Sequence, residues 1–272
     1  MAEATNKAAI ARKLGISRQS LYYRPKKPKE DEDIKQKILA AREEHPAYGH
    51  RRMAIALGFN KKRINRIMKL FHIRPKIVRG RPGKLGDIGR APTSIPNLAK
   101  DICPIKAGAL WAGDFTYIPW KDDFIYLATV LDIYTREIVG WHIGMRHTTD
   151  LVIKAFIDAA ERTKKKPQIF HSDQGSEYVS GEYEKLLENM NVRASQSKKS
   201  SPWENGFQES FYNQFKLELG NSKNFNDLGL LIAAIHSQVR YYNERRIHSA
   251  LKMPPAIFRR RSEYKNTAVM AA

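Results

Sequence analysis

Three carboxylates stand where a folding chain has least use for charge. Asp114 interrupts the apolar and aromatic run Leu110-Trp-Ala-Gly-Asp-Phe-Thr-Tyr-Ile118, Asp173 follows at once on Gln168-Ile-Phe-His-Ser172, and Glu209 lies in Trp203-Glu-Asn-Gly-Phe-Gln-Glu-Ser-Phe211. Singly, two of them have ordinary readings. Asp173, with Gly175 close behind, suits the turn after a strand, and Glu209 suits a solvated helix face. Asp114 is harder to place, because a charge inside a strand is costly unless it is paired or bound to a cation. Taken together they suggest another chemistry. Carboxylates gathered at one point repel and raise one another's pKa, and a divalent cation relieves that repulsion. Hard oxygen donors with room for water and phosphate suit Mg²⁺, or Mn²⁺ as a substitute. Two such ions about 4 Å apart would assist an in-line displacement at a phosphodiester.

The elements that would have to position these acids are legible. Leu110 to Trp120, Phe124 to Tyr134 and Glu137 to Met145 are rich in aromatic and β-branched residues and are separated by turns, so they predict a three-stranded antiparallel meander. Asp150 opens a helix with apolar residues at Val152, Ile153, Phe156, Ile157 and Ala160. A strand is expected at Gln168–His171, a helix at about 180–190, a short strand at Val192–Ser195, a loop from Gln196 to Pro202, then helices from about Trp203 to Leu219 and Leu228 to Arg245. In the first of these helices Phe207, Phe211 and Phe215 fall within about 80° of one another and predict a buried face, with Glu209 and Lys216 near 200° and 180° on the polar side. The order β-β-β-α-β-α-β-α gives an α/β fold, a mixed sheet with helices on both faces, and resembles ribonuclease-H-like nucleases. In such a sheet the first and fourth strands are neighbours, which would let Asp114 and Asp173 meet.

Other candidates have simpler roles. Asp132 is expected to pair with Arg136, Asp122 and Asp123 to sit in a turn, and Glu177 to fix the loop after Asp173. His171 is open between a DNA contact and a local hydrogen bond. His248 with Ser249 has no acid placed to complete a hydrolytic triad.

Of the net charge of +20, residues 1–100 carry 25 Lys+Arg against 8 Asp+Glu, and the rest carry 23 against 20. A polycationic first third favours a polyanion, usually nucleic acid. There, Ala8 to Tyr23 reads as helix, glycine turn at Gly15, and a second helix capped by Ser17, a helix-turn-helix-like unit that would offer Arg18 and Gln19 to DNA. A helix from about Asp31 to Glu44 follows, then Tyr48-Gly-His-Arg-Arg to Gly58, and a helix after Asn60 whose Ile64, Ile67, Met68 and Phe71 form a stripe. Lys61, Lys62, Arg63, Arg66 and Lys69 on its other faces suit phosphate tracking. The expected units are 1–27, helix-turn-helix-like; 28–75, a second helical DNA-binding unit; 76–108, a basic Pro/Gly-rich linker; 109–225, the ribonuclease-H-like core; and 226–272, a C-terminal helix and basic tail. The 42% apolar content supports a sizeable core, no apolar run approaches a membrane span of roughly 18 residues, and the single Cys103 excludes an internal disulfide. A reducing cytoplasm fits.

Several motifs in order sharpen this. Trp111-Ala-Gly-Asp-Phe-Thr-Tyr-Ile-Pro119, Leu131-Asp-Ile-Tyr-Thr-Arg-Glu-Ile-Val-Gly-Trp141, His171-Ser-Asp-Gln-Gly-Ser-Glu-Tyr178 and Glu204-Asn-Gly-Phe-Gln-Glu-Ser-Phe211 resemble the retroviral-integrase-type core of bacterial insertion-sequence transposases, in the IS-three branch. Tyr242-Asn-Glu-Arg-Arg-Ile-His-Ser-Ala-Leu251 resembles that family's C-terminal signature, and Tyr48-Gly-His-Arg-Arg52 its upstream DNA-binding unit, bringing in Arg51 and Arg52. The resemblance implies a DDE triad of Asp114, Asp173 and Glu209 holding two Mg²⁺ ions. Lys216 would be a DNA-contacting cation. DNA cleavage and 3′-hydroxyl strand transfer at terminal repeats, and a homo-oligomer on DNA near the nucleoid, are also implied. Where many relatives have Cys-Tyr-Asp-Asn-Ala, this chain has Ser201-Pro-Trp-Glu-Asn-Gly206, a difference of loop detail. A domesticated, inactive DNA-binding protein and a nuclease that cuts without joining are the alternatives.

Overall fold

The structure, a computed structural model, describes residues 7–15, 17, 19, 28–77, 95–100, 102–197 and 206–270. Its centre is a five-stranded sheet of order β3-β2-β1-β4-β5. Strands β1 (Leu110–Trp120), β2 (Asp123–Asp132) and β3 (Ile138–Gly144) form the antiparallel meander, and β4 (Ile169–Ser172) and β5 (Arg193–Gln196) run parallel to β1. Strand alternation sends neighbours to opposite faces. Leu110, Ala112 and Ile118 pack with Phe211 and Phe215 of α7 (Gly206–Leu219) and Leu231, Ile235 and Val239 of α8 (Leu228–Glu244). Trp111, Ala128 and Val130 pack with Phe156 and Ala159 of α5 (Thr149–Thr163) and Tyr183 and Leu187 of α6 (Gly181–Asn189). Gly140 lets α5 lie against β3, since a Cβ there would meet the Ala159 backbone nitrogen at 2.4 Å.

Between residues 110 and 245 the expected strands and helices are present among the described residues, with local differences. In the helix carrying Glu209, described from Gly206, Phe207 is 47% exposed instead of buried, and the Arg136 guanidinium lies 3.7 Å above its ring. Asp132 does not pair with Arg136. Its carboxylate accepts from the backbone nitrogens of Gly108, Tyr134 and Thr135, the Thr135 hydroxyl and Trp111 Nε1, which fixes the turn between β2 and β3. The segment after α8 holds a further helix, α9 (Pro255–Met270), started by a proline at its first position and tied by Arg259 to Glu137, just ahead of β3. No helix among the described residues is long and apolar enough to cross a membrane.

Towards the N-terminus α1 (Lys7–Lys13) ends at Gly15, whose φ of +62° is the expected left-handed turn. Most of the expected second helix, including Arg18, lies outside the described residues, as do 78–94 of the linker and 198–205 of the loop before α7. Helices α2 (Pro28–Glu44), α3 (His50–Leu57) and α4 (Lys61–Leu70) bury Ile34, Ile38, Tyr48, Met53, Ile64 and Ile67 around Ile247 from the far end of the chain. Asn60 caps α4 through the Lys62 nitrogen. The seam is specific: Tyr48 Oη accepts from Ile247 N, His45 Nδ1 lies 2.9 Å from Tyr241 Oη, and Glu44 pairs with Arg245 at 2.6 Å. Next to it Arg246 forms a buried ion pair with Glu218 of α7 at 2.9 Å.

Candidate active site

The ladder between β1 and β4 sets the two aspartates. Their last pair is Ala112 with His171, and two residues further along in each case come Asp114 and Asp173. Asp114 stays inside β1, paired with Thr129 of β2, while Asp173 stands one residue past the end of β4, so the two acids come to the same level beside one another where the β1–β4 pairing stops. Asp114 Oδ1 accepts from Phe115 N at 2.8 Å, and Asp173 Oδ1 accepts from Gly175 N at 3.0 Å. Gly113 is needed beside Asp114, because a Cβ there would stand 2.3 Å from the Phe170 ring.

Glu209 is carried over this point by α7, and two residues that sequence reading missed lock that helix down. Gln208, fully buried, donates from Nε2 to Ala112 O at 2.6 Å and Thr129 O at 3.1 Å, and accepts from Thr129 Oγ1. Tyr212 donates to Asp114 O at 2.6 Å, with the Thr129 hydroxyl 2.7 Å away. Glu209, between them in sequence, is exposed on the flank. A glutamine next to a candidate acid reads as a solvated side chain; only its helical register with buried Phe211 hints otherwise.

The electrostatics bind the acids to one another. Burial, then the Asp173 charge, push Asp114 up to about 8; the Phe115 N–H opposes this, Glu209 adds to it and Lys216 draws it back. Burial raises Asp173 too, offset by the Gly175 N–H and reinforced by Glu177. Lys216 is lowered by burial and raised by Asp114, and its Nζ rests 4.4 Å from the Tyr117 ring centroid. Behind the acids, Tyr178 is buried and feels the charges of both aspartates. Among the described residues no three His, Cys, Asp or Glu side chains are already gathered closely enough to hold a metal ion. The donor set still fits a hard divalent cation: oxygens only, from Asp114 inside β1 and Asp173 just past β4, with a proton affinity that burial has raised at both and the Asp173 charge has raised further at Asp114.

Glu177 fixes the loop after Asp173 as expected, through a partner that sequence reading did not supply: its Oε1 lies 2.7 Å from His147 Nδ1. His171 is buried with Nδ1 2.9 Å from Ser195 Oγ, so it has the local hydrogen bond. The basic helix α4 is less freely cationic than it reads. Arg63 pairs with Glu30 at 2.8 Å and Arg66 with Asp31 at 2.6 Å, both acids on α2. Arg52 donates to Ser249 Oγ, while Lys61, Lys62, Lys69, Arg51 and Gln19 are exposed.

Residues 105–202, and again 190–255, match the integrase core domain family. The transposase for insertion sequence element IS904 of Lactococcus lactis subsp. lactis (strain IL1403) is 35% identical over 240 residues, 85% of this chain and 95% of that protein. Transposase InsF for insertion sequence IS3A of Escherichia coli (strain K12) is 32% identical over 161 residues, 58% of this chain and 56% of that protein. Among solved structures, the simian T-cell lymphotropic virus intasome in complex with PP2A regulatory subunit B56 gamma shares the fold, with a TM-score of 0.50 at 16% identity over 78% of this chain and 70% of that one. Fold and matches together define the class: a transposase with a ribonuclease-H-like integrase core, an enzyme of the DDE type. Within that class, the chain belongs to the IS3 family of insertion-sequence transposases. Membership implies a divalent metal cofactor and DNA as the substrate.

Proposed function

We propose that Asp114, Asp173 and Glu209 are the acids of this transposase, that they hold two Mg²⁺ ions with Mn²⁺ able to substitute, and that the enzyme cuts DNA at the terminal repeats of its insertion sequence and joins the freed 3′-hydroxyl to target DNA. The observation that carries this is the level placement of Asp114 in β1 and Asp173 just past the end of the parallel neighbour β4, beside a helix pinned by Gln208 and Tyr212. When bound, the divalent cations supply Lewis-acid charge for in-line displacement at phosphorus.

The chain's own residues do the rest. To hold a cation, Asp114 would have to give up the proton that its surroundings favour. Lys216 offers an ammonium to the DNA phosphate beside Asp114. Gln208 and Tyr212 hold α7 at a fixed height over β1, and the His147–Glu177 contact steadies the loop that bears Asp173. No protein nucleophile is required, since water and then a DNA 3′-hydroxyl attack phosphorus in turn. The exposed Lys61, Lys62, Lys69, Arg51 and Gln19, with Arg18, would track the element ends; Arg52, Arg63 and Arg66 would have to exchange internal partners for phosphate. The working form is a homo-oligomer bridging two ends, in the bacterial cytoplasm on the nucleoid.

The test is Asp173→Asn with DNA carrying the element's own ends. Mg²⁺-dependent cleavage and joining of a pre-cut end should both be abolished, with DNA affinity retained or raised. Cleavage persisting in the variant removes Asp173 from the site; cleavage without joining in the unmodified chain would make it a nuclease.

A further inference from the structure

The β1–β2 hairpin places aromatic rings in solvent beside the acids. Tyr117 is 56% exposed and Phe124 41% exposed, and the two rings meet edge to face with centroids 5.4 Å apart. Two lysines lie over rings of this hairpin. Lys216 Nζ lies over the Tyr117 ring, and at the hairpin tip Lys121 Nζ lies 4.5 Å from the Trp120 ring centroid. Tyr117 follows Asp114 by three positions on β1, and Lys216, whose ammonium Asp114 attracts, links the acid to that ring. Large exposed rings are wasteful in a chain that has two apolar sheet faces to fill, and rings interleaved with lysines suit a partner that is flat, apolar on its faces and anionic along its edge. A nucleotide has that form. In an intact duplex the base faces are covered by their neighbours, so the occupant has to be unpaired.

Resting on the transposase reading above, we propose that Tyr117, supported by Phe124 and Lys216, is a stacking seat for an unpaired base next to the scissile phosphate, so that the enzyme selects DNA ends that have frayed. The ring takes the base face and the ammonium takes the adjoining phosphate. The discrimination is thereby separate from the phosphate contacts of the basic helices, which treat paired and frayed ends alike.

The experiment compares the full chain with Tyr117→Phe and Tyr117→Leu in EDTA, where no chemistry occurs. Two duplexes cut from the end of the insertion sequence are used, one fully paired and one with its last two pairs mismatched and 2-aminopurine at the 3′ end. The unmodified chain should prefer the mismatched duplex by roughly 5- to 100-fold, the range for one base stacked on an aromatic ring, and should quench the probe. Phe should keep both effects; Leu should lose both while binding the paired duplex as before. The inference is overturned if the unmodified chain shows no preference, if Leu keeps it, if Leu weakens both duplexes equally, or if Leu alters only the sedimentation of the protein. None of these readouts needs cleavage, so a chain that fails to cut with Mg²⁺ counts against the transposase reading and leaves this measurement to be judged alone.

Discussion

Replacing Asp114 by asparagine should make the protein more stable while destroying its activity, and the size of the gain follows from the site. The carboxyl has an ordinary value of 3.8 in the unfolded chain and is pushed up to about 8 in the fold. Below pH 4 both states are protonated and the site is not a burden. Between pH 4 and 8 the unfolded chain releases the proton while the folded chain retains it, so stability falls by about 1.4 kcal/mol per pH unit; above pH 8 the loss is complete. At pH 7 this amounts to about 4 kcal/mol, and because the side chain is only partly buried, solvent screening leaves about 2 kcal/mol. Asparagine keeps the shape and can still accept from Phe115 N, but has no charge to bury. In EDTA at pH 7 the Asp114→Asn variant should therefore melt roughly 4–8 °C above the unmodified chain, and the gap should close at pH 4. Mg²⁺ should raise the melting temperature of the unmodified chain only, as a ligand of the folded state does. Equal melting at pH 7, or a gap that survives at pH 4, would refute the reasoning.

Other outcomes follow from the same geometry. Gln208→Leu keeps the side chain's bulk but leaves the Ala112 and Thr129 carbonyls without their donor, a loss of about 1–3 kcal/mol in chemical denaturation. With α7 free to shift by about 1 Å, strand transfer should fall on the order of 100-fold while DNA affinity is unchanged. Glu218→Gln leaves buried Arg246 facing a neutral partner and should cost about 3–5 kcal/mol, most of it restored by pairing it with Arg246→Met; a double variant no more stable than the single one would contradict the ion-pair account.

The strands were legible because each has a two-residue rhythm and a turn beside it, and Asp114 announced itself as a charge that the rhythm does not accommodate. What sequence could not supply was anything decided by a neighbour distant along the chain. The stripe Phe207–Phe211–Phe215 has the right period, yet nothing in it tells that Phe207 stays exposed beneath Arg136. Gln208 and Tyr212 look like surface residues until β1 is laid under them. Arg63 and Arg66 read as free cations because the acids that engage them, Glu30 and Asp31, belong to a helix three dozen residues earlier. Asp132 looked like half of an ion pair and is instead the acceptor that holds a turn together.

The seam between Tyr48 and Ile247 bears on any attempt to redirect this enzyme to new DNA ends. The basic arm is not a detachable unit: Ile247 packs in its core, and Tyr48, His45 and Glu44 each engage a residue that follows α7. A graft that exchanges residues 28–77 with those of a relative, leaving the C-terminal half untouched, would bring mismatched surfaces together and bare an isoleucine. A chimera designed to keep its activity has to transplant both banks of the seam, Tyr241 to Ser249 along with the arm.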